Sequence, residues 1–366
     1  MITQDTLTDC RWCSQVSKAN GEDPIGTART ADHWLLIERP LPWTEQMFQE
    51  DPRIAELLKL FKQLFMKYGV MLSPTLIVPE PEYSQPGQTR VIYYYRPQQQ
   101  FARFEKQEFI VPEERSADLI TALIKRLMKK PNQLDQFQTY QRDTSHIREI
   151  LVCTHGNVDA ACARFGFPIY KQLKEDYAAH SDGQLRAWRC SHFGGHQFAP
   201  TLIDLPQGQY WGHLESDSLD LLVNRQGDVA GLRPFYRGWS GLSKFEQMAE
   251  RDAWIQEGWD WLAYQKSGRT LRKGLTGIKR YLYPLLRWIP LKRAQFFLEQ
   301  WTRDATWADV QIQFMSADRV TSGHYRARVE QNGEVTTAAQ SPKAGEAISL
   351  KTVPQYRVRQ LVKDPT

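Results

Sequence analysis

Cysteine is scarce and dispersed: five residues in 366, at Cys10, Cys13, Cys153, Cys162 and Cys190. An odd, scattered set does not build the disulfide framework of a small secreted domain, and it implies a reducing compartment. No apolar run approaches the roughly 18 residues that a spanning helix needs. The start, MITQDTLTDC, has acids where a signal peptide carries Lys or Arg, so a cytoplasmic protein is expected. No Gly-rich dinucleotide loop is present, so a dinucleotide cofactor held in that way is not expected. No defensible carboxylate pair suits glycoside hydrolysis either, since Asp159 and Asp204 read as a helix cap and a strand end. Acid is missing altogether between Lys266 and Arg293, where nine Lys or Arg stand without one Asp or Glu. The net charge is +5, so the rest of the chain is net acidic.

What is present suits more than one domain, because a chain of this length exceeds the usual single-domain size of about 150 residues. From Trp34 to Arg126 the pattern reads strand (WLLIE), helix (PRIAELLKLFKQLFMKYG), strand (TLIVP), strand (TRVIYYY), an extended stretch (FARFEKQEFIV) and helix (SADLITALIKRLM). Residues 129–145 are polar, contain a proline and lack a period, which predicts a linker. The order then repeats from EILVC. The expectation is an α/β fold of two thioredoxin-like lobes, 1–128 and 146–265, consistent with a tandem duplication. A basic helical segment over 266–302 and a small antiparallel β module over 303–366 follow, with Asn332-Gly333 predicted as a tight hairpin turn.

The strongest chemical signal is LVCTHGNVDAACARFG followed by CSHFGGHQFAP. It pairs a C-x8-C, Cys153 and Cys162, with an H-x3-H, His192 and His196. Each pair follows a predicted strand, where α/β folds place their sites. Gly194 and Gly195 make a continuous helix improbable, and Phe193 stands where a zinc-protease helix has its Glu. Two thiols and two imidazoles suit either a tetrahedral zinc ion or a 2Fe-2S cluster with cysteines on one iron and histidines on the other. A spacing of x8 is long for a zinc finger and suits the cluster better.

CTHGNVDAACARFG with SHFGGHQFAP resembles the sucrase/ferredoxin-like family, as do GEDPIGTA (21–28), WLLIERPLPW (34–43) and YRGWSGLSKFEQMAER (236–251). The resemblance implies a thioredoxin-like 2Fe-2S electron carrier with Cys153, Cys162, His192 and His196 as ligands. It covers about residues 10–255. Imidazole in place of thiolate makes such a cluster less negative and raises its potential. The function expected is one-electron transfer; the alternative is a zinc-binding structural or interaction protein using the same four residues.

Other residues have smaller roles in this reading. His155 and Cys190 are candidates to support or supplement the ligands, although a turn residue and a packed thiol are the plainer assignments. Cys10 and Cys13 have the C-x2-C spacing of a redox dithiol, but Trp12 between them suggests a packed anchor. The acid-free segment suggests docking through Lys273, Lys279, Arg280 and Arg287. An acidic redox protein or reductase, or an anionic membrane surface, suits that charge; base-reading motifs are lacking, so nucleic acid is not expected as a partner. Pro284 and Pro290 are expected to break any long helix there.

Overall fold

The computed structural model describes residues 12–44, 46–47, 52–131, 133–289, 291–342 and 346–365. Cys10 and Pro290 lie outside the described residues. Helix α1 (Cys13–Ala19) comes first, followed by β1 (His33–Glu38), α2 (Pro52–Tyr68), β2 (Leu72–Ile77), β3 (Gln88–Tyr95), β4 (Glu105–Pro112) and α3 (Ser116–Leu127). Strand β2 runs parallel to β1, while β3 pairs antiparallel on its other side and β4 on β3. The helices form because their apolar residues recur on one face. Leu119, Ile120, Leu123 and Ile124 of α3 and Leu64 of α2 bury that face against Leu35, Val91, Tyr93 and Phe109 of the strands.

The second half repeats this order. After the two-residue β5 (Gln141–Arg142) come β6 (Arg148–Cys153), α4 (Ala160–Gln172), β7 (Leu185–Cys190), β8 (Leu202–Leu205), β9 (Gln209–Trp211) and α5 (Ser216–Asn224). Its strands stand in the order β7-β6-β8-β9, matching β2-β1-β3-β4 in the first half. The two halves meet edge to edge, antiparallel, through Ile77 and Cys190. With β10 (Tyr236–Trp239) beyond β9, one mixed sheet of ten strands results. It bends enough for Phe104 N–H to reach the carbonyl of Pro206 at 2.8 Å, and a shared core of Trp34, Tyr94, Leu151, Trp188 and Tyr210 fills the bend.

Residues 129–145 are not a bare linker. Leu134–Tyr140 form a 3-10 turn whose Phe137 is buried against α3, so the aromatic contributes to the first core. The polar composition hid this, because a single buried ring suffices to dock seven residues.

After α6 (Lys244–Glu257) the chain enters a four-stranded antiparallel sheet of β11 (Gln265–Lys273), β12 (Trp307–Met315), β13 (Ser322–Ala338) and β14 (Leu350–Pro365). Two short helices, α7 (Lys279–Leu286) and α8 (Lys292–Trp301), are inserted between β11 and β12. The stretch predicted as helical over 266–302 thus begins with the first strand of the sheet, and Pro284 lies inside α7. Lys266 is buried in that strand, its ammonium on the carbonyls of Trp261 (2.7 Å) and Tyr264 (3.0 Å). Asn332-Gly333 is not a hairpin turn. It bulges within β13, where Gln331 pairs with Tyr356 and Glu334 with Pro354, and Gly333 takes up φ of +84°. Because β14 pairs on both sides of the bulge, the ladder continues and the reversal falls after Ala338. This sheet shares its core with α6, Phe245, Met248 and Trp254 packing with Val310, Ile312 and Tyr325.

His213 illustrates a buried group with a measurable consequence. It is 4% exposed, at φ of +55°, with Nε2 3.1 Å from Ser17 Oγ. Burial first, then Lys18 and Arg237, push its pKa down to about 3. The folded state therefore holds it neutral while the unfolded chain protonates it below about pH 6.5. Its contribution to stability is complete above that pH and is lost on acidification toward pH 3, by up to about 1.4 kcal/mol per pH unit. His213→Asn, which tolerates the left-handed backbone, should flatten urea-unfolding stability between pH 6.5 and 4; an unchanged slope contradicts this assignment.

Candidate metal centre

Strand β6 delivers Cys153 to the junction between the halves, and α4 returns Cys162 beside it. The helix starts because Asp159 caps it, accepting from Ala161 N–H at 2.9 Å. Cys162 and Gly166 are one turn apart on one face. A Cβ at Gly166 would lie 2.2 Å from the carbonyl oxygen of Cys153, so only glycine allows α4 to come down on the strand end. That approach, rather than the loop length alone, brings the sulfurs together.

The histidines arrive from β7. Gly194 and Gly195, at φ of +97° and +84°, turn the chain so that His192 and His196 face each other with ring centroids 5.6 Å apart. His192 Nδ1 lies 3.7 Å from Cys153 Sγ and 3.8 Å from Cys162 Sγ. These three donors converge within 4.8 Å of one another. His196 belongs to a second convergent group, with Nδ1 3.2 Å from Asp159 Oδ2 and 3.5 Å from Cys13 Sγ. Ser341 completes that group, donating to Asp159 Oδ1 at 2.7 Å.

Charge at the centre is set by burial and neighbours. Hydrogen bonding from Cys162 and the adjacent His192 outweigh burial and hold the Cys153 thiol well below its ordinary range, while Cys162 is driven upward as its partner. Of the two thiols, Cys153 is thereby the more readily ionised. Arg237 is 2% exposed and braces the histidine loop, donating to Gly194 O at 3.0 Å and to Thr27 Oγ1 at 3.0 Å and O at 3.1 Å. Burial pulls its pKa down to about 10, opposed by Tyr210 and both cysteines, so it remains a cation at neutral pH. A Cβ at Gly195 would strike this guanidinium at 2.3 Å. The separated segments GTA and YRG therefore meet at the histidine loop, Gly26, Thr27 and Ala28 N–H all donating to Arg237 O.

The smaller candidates fall into place. His155 is a brace: its Nδ1 faces His192 N–H at 3.4 Å and its Nε2 the carbonyl of Trp43 at 3.3 Å. Cys190 is fully buried beside Cys153 in the β ladder and outside both convergent groups. Cys13 is also fully buried, and burial foremost pushes its thiol up to about 12, which leaves little thiolate for disulfide exchange at neutral pH. Trp12 anchors α1 edge-on against Phe165. Reading along the chain did not connect Cys13, Ser341 or Arg237 to the histidines, because all three reach the centre only through tertiary packing. Of the docking candidates, Arg280 and Arg287 are exposed, whereas Lys279 is paired with Asp304 at 2.7 Å and Lys273 bonds Thr302 Oγ1 at 3.0 Å.

No helix among the described residues is long and apolar enough to cross a membrane. No curated protein and no solved structure matches the chain significantly. The sucrase/ferredoxin-like family model matches residues 24–238, more than half of the 366, a span that includes Cys153, Cys162, His192 and His196. On that match the chain belongs to the sucrase/ferredoxin-like family.

Proposed function

We propose that the protein is a one-electron carrier that binds a 2Fe-2S cluster through Cys153, Cys162, His192 and His196. The observation that carries this reading is the donor set itself: two buried thiols, one already drawn toward thiolate, converge with one imidazole while the second imidazole stands aside on its own carboxylate. When bound, such a cluster takes up and returns a single electron. Cys153 and Cys162 would supply thiolates, and the histidines neutral nitrogens. Asp159 on Nδ1 of His196 leaves Nε2 as the free donor and fixes the ring's orientation, as carboxylates commonly do for ligating histidines. Arg237 offsets the thiolate charge in a setting where water cannot.

Each half reads as a thioredoxin-like unit and the pair as a tandem duplication, supported by the matching neighbour orders β2-β1-β3-β4 and β7-β6-β8-β9. The electron donor in this reading is a protein, an acidic redox partner or reductase. A structural zinc site is the second reading, favoured by the spacing of Cys153, Cys162 and His192, which suits a single ion. Substituting cysteine at His192 or at His196 separates the two. Each added thiolate makes a cluster more negative, so the potential from spectroelectrochemical titration should fall with either variant. An intact chromophore with an unaltered potential in both would contradict histidine ligation.

A further inference from the structure

Helix α7 is mounted inside out. Its Lys279 folds back along the surface onto the exposed Asp304, at 2.8 and 2.7 Å to the two carboxylate oxygens, and Tyr283 lies under the Lys273 ammonium at 5.6 Å. The large apolar residues point the other way. Ile278 at the N-cap, Tyr281 and Leu285 within the helix, at helical spacings of three and four, and Trp288 in the turn after it are 68%, 72%, 71% and 75% exposed, and Leu291 beyond them is 58% exposed. A helix resting on a protein surface normally buries such a stripe and presents its cations to water. Here the ridge is also held in place. Gln295 Nε2 donates to the carbonyls of Arg287 and Ile289, both at 2.8 Å, and the Phe296 and Phe297 rings pack edge-on against Phe65 of α2. The exposure is thus built into the fold by contacts on the opposite side of the hairpin.

We propose that the α7–α8 hairpin seats the protein on an anionic lipid bilayer, with Ile278, Tyr281, Leu285 and Trp288 entering the interface and Arg280 and Arg287 contacting the headgroups. Charge complementarity selects this occupant. The 28 residues from Lys266 to Arg293 contain no acid, and Arg280 and Arg287 are exposed beside the apolar stripe. An acidic protein would be held chiefly through cations, yet two of the four candidates are already engaged by Asp304 and Thr302. The most exposed groups are instead aliphatic chains with Tyr and Trp, the combination that partitions into a lipid interface, while arginines reach back to phosphates. Apolar insertion and headgroup attraction together give the stable attachment that neither gives alone. This inference does not depend on the identity of the metal.

The test is co-sedimentation of the full-length, metal-loaded protein with phosphatidylcholine vesicles, plain or containing about a third phosphatidylglycerol, at low and high ionic strength. The protein should pellet with the anionic vesicles at low salt and much less with the plain ones. Tyr281→Ser/Leu285→Ser/Trp288→Ser should weaken that partitioning at least tenfold at either ionic strength. Arg280→Glu/Arg287→Glu should weaken it strongly at low salt only. These positions are exposed, so both variants should keep the circular dichroism and visible spectrum of the parent. Failure of the parent to pellet with anionic vesicles, or equal pelleting by parent and Ser variant, overturns the proposal. It is also overturned if sedimentation velocity shows a parent dimer that the Ser substitutions dissociate without any vesicle binding, since the ridge would then join two copies of the chain.

Discussion

Cys153→Ser and Cys162→Ser should each yield a folded protein that has lost most or all of its iron and its red-brown colour, whereas Cys13→Ser and Cys190→Ala should remain coloured. The contrast follows from placement rather than from cysteine chemistry in general. All four thiols are buried, but only Cys153 and Cys162 converge with His192. Cys13 sits on Asp159 and Ser341, with its thiol raised to about 12 chiefly by burial, and Cys190 is enclosed by the sheet. Circular dichroism and iron content of the four variants, prepared in parallel, make the comparison. Full iron in Cys153→Ser, or its loss in Cys190→Ala, would remove the assignment of the thiolate pair.

The second large effect concerns the junction between the halves, where charge is buried rather than excluded. Glu149 of β6 accepts from Lys106 of β4 at 2.6 Å, from Arg186 of β7 at 3.3 Å and from the Trp188 indole at 2.5 Å. Glu108 of β4 accepts from the same Arg186 at 3.1 Å, from Thr144 at 2.5 Å and from Arg90, which is bound in turn to Glu38. Three carboxylates thus face three cations, and the Glu108 and Glu149 side chains are 0% exposed. Deleting one member leaves a buried charge unpaired, which costs about 3–5 kcal/mol. Glu149→Gln should therefore lower the urea-unfolding free energy by that order. Adding Lys106→Met should recover part of it, because the orphaned ammonium is gone and the apolar stem still packs. A loss below about 1 kcal/mol would mean that water reaches the network.

This network explains much of what the sequence did and did not disclose. Regular alternation and helical periodicity exposed the order of elements in both halves, because each element has one buried face and its pattern is local. Nothing local marks Glu108, Glu149 and Arg186 as members of a buried network, because an alternating charge on a strand ordinarily faces water. Only the bend of the sheet, which brings β4 across to β6, puts that face inside. Cys153, Cys162, His192 and His196 were legible because unusual residue types stand at short spacings after strand ends. That His192 faces the two thiols while His196 rests on Asp159 was not legible. It depends on Asp159, a helix cap that also holds His196, and on Cys13 and Ser341, which are separated by 328 positions. Asn332-Gly333 misled because the dipeptide suits a positive φ equally well in a turn or a bulge, and the pairing of β14 with both sides of β13 decides between them. Within 266–302, the strand β11 was masked by its basic residues, of which Lys266 turns inward to the carbonyls of Trp261 and Tyr264.

The two cysteines and two histidines are proposed to hold a 2Fe-2S cluster. The most direct test is metal and acid-labile sulfide analysis, with visible and electron paramagnetic resonance spectra, of protein purified without oxygen. Two iron and two sulfide per chain, visible absorption that bleaches on reduction, and a paramagnetic signal from the one-electron-reduced state are the result expected of a 2Fe-2S carrier. A colourless protein with one zinc per chain and no sulfide would contradict it and establish the structural metal site instead.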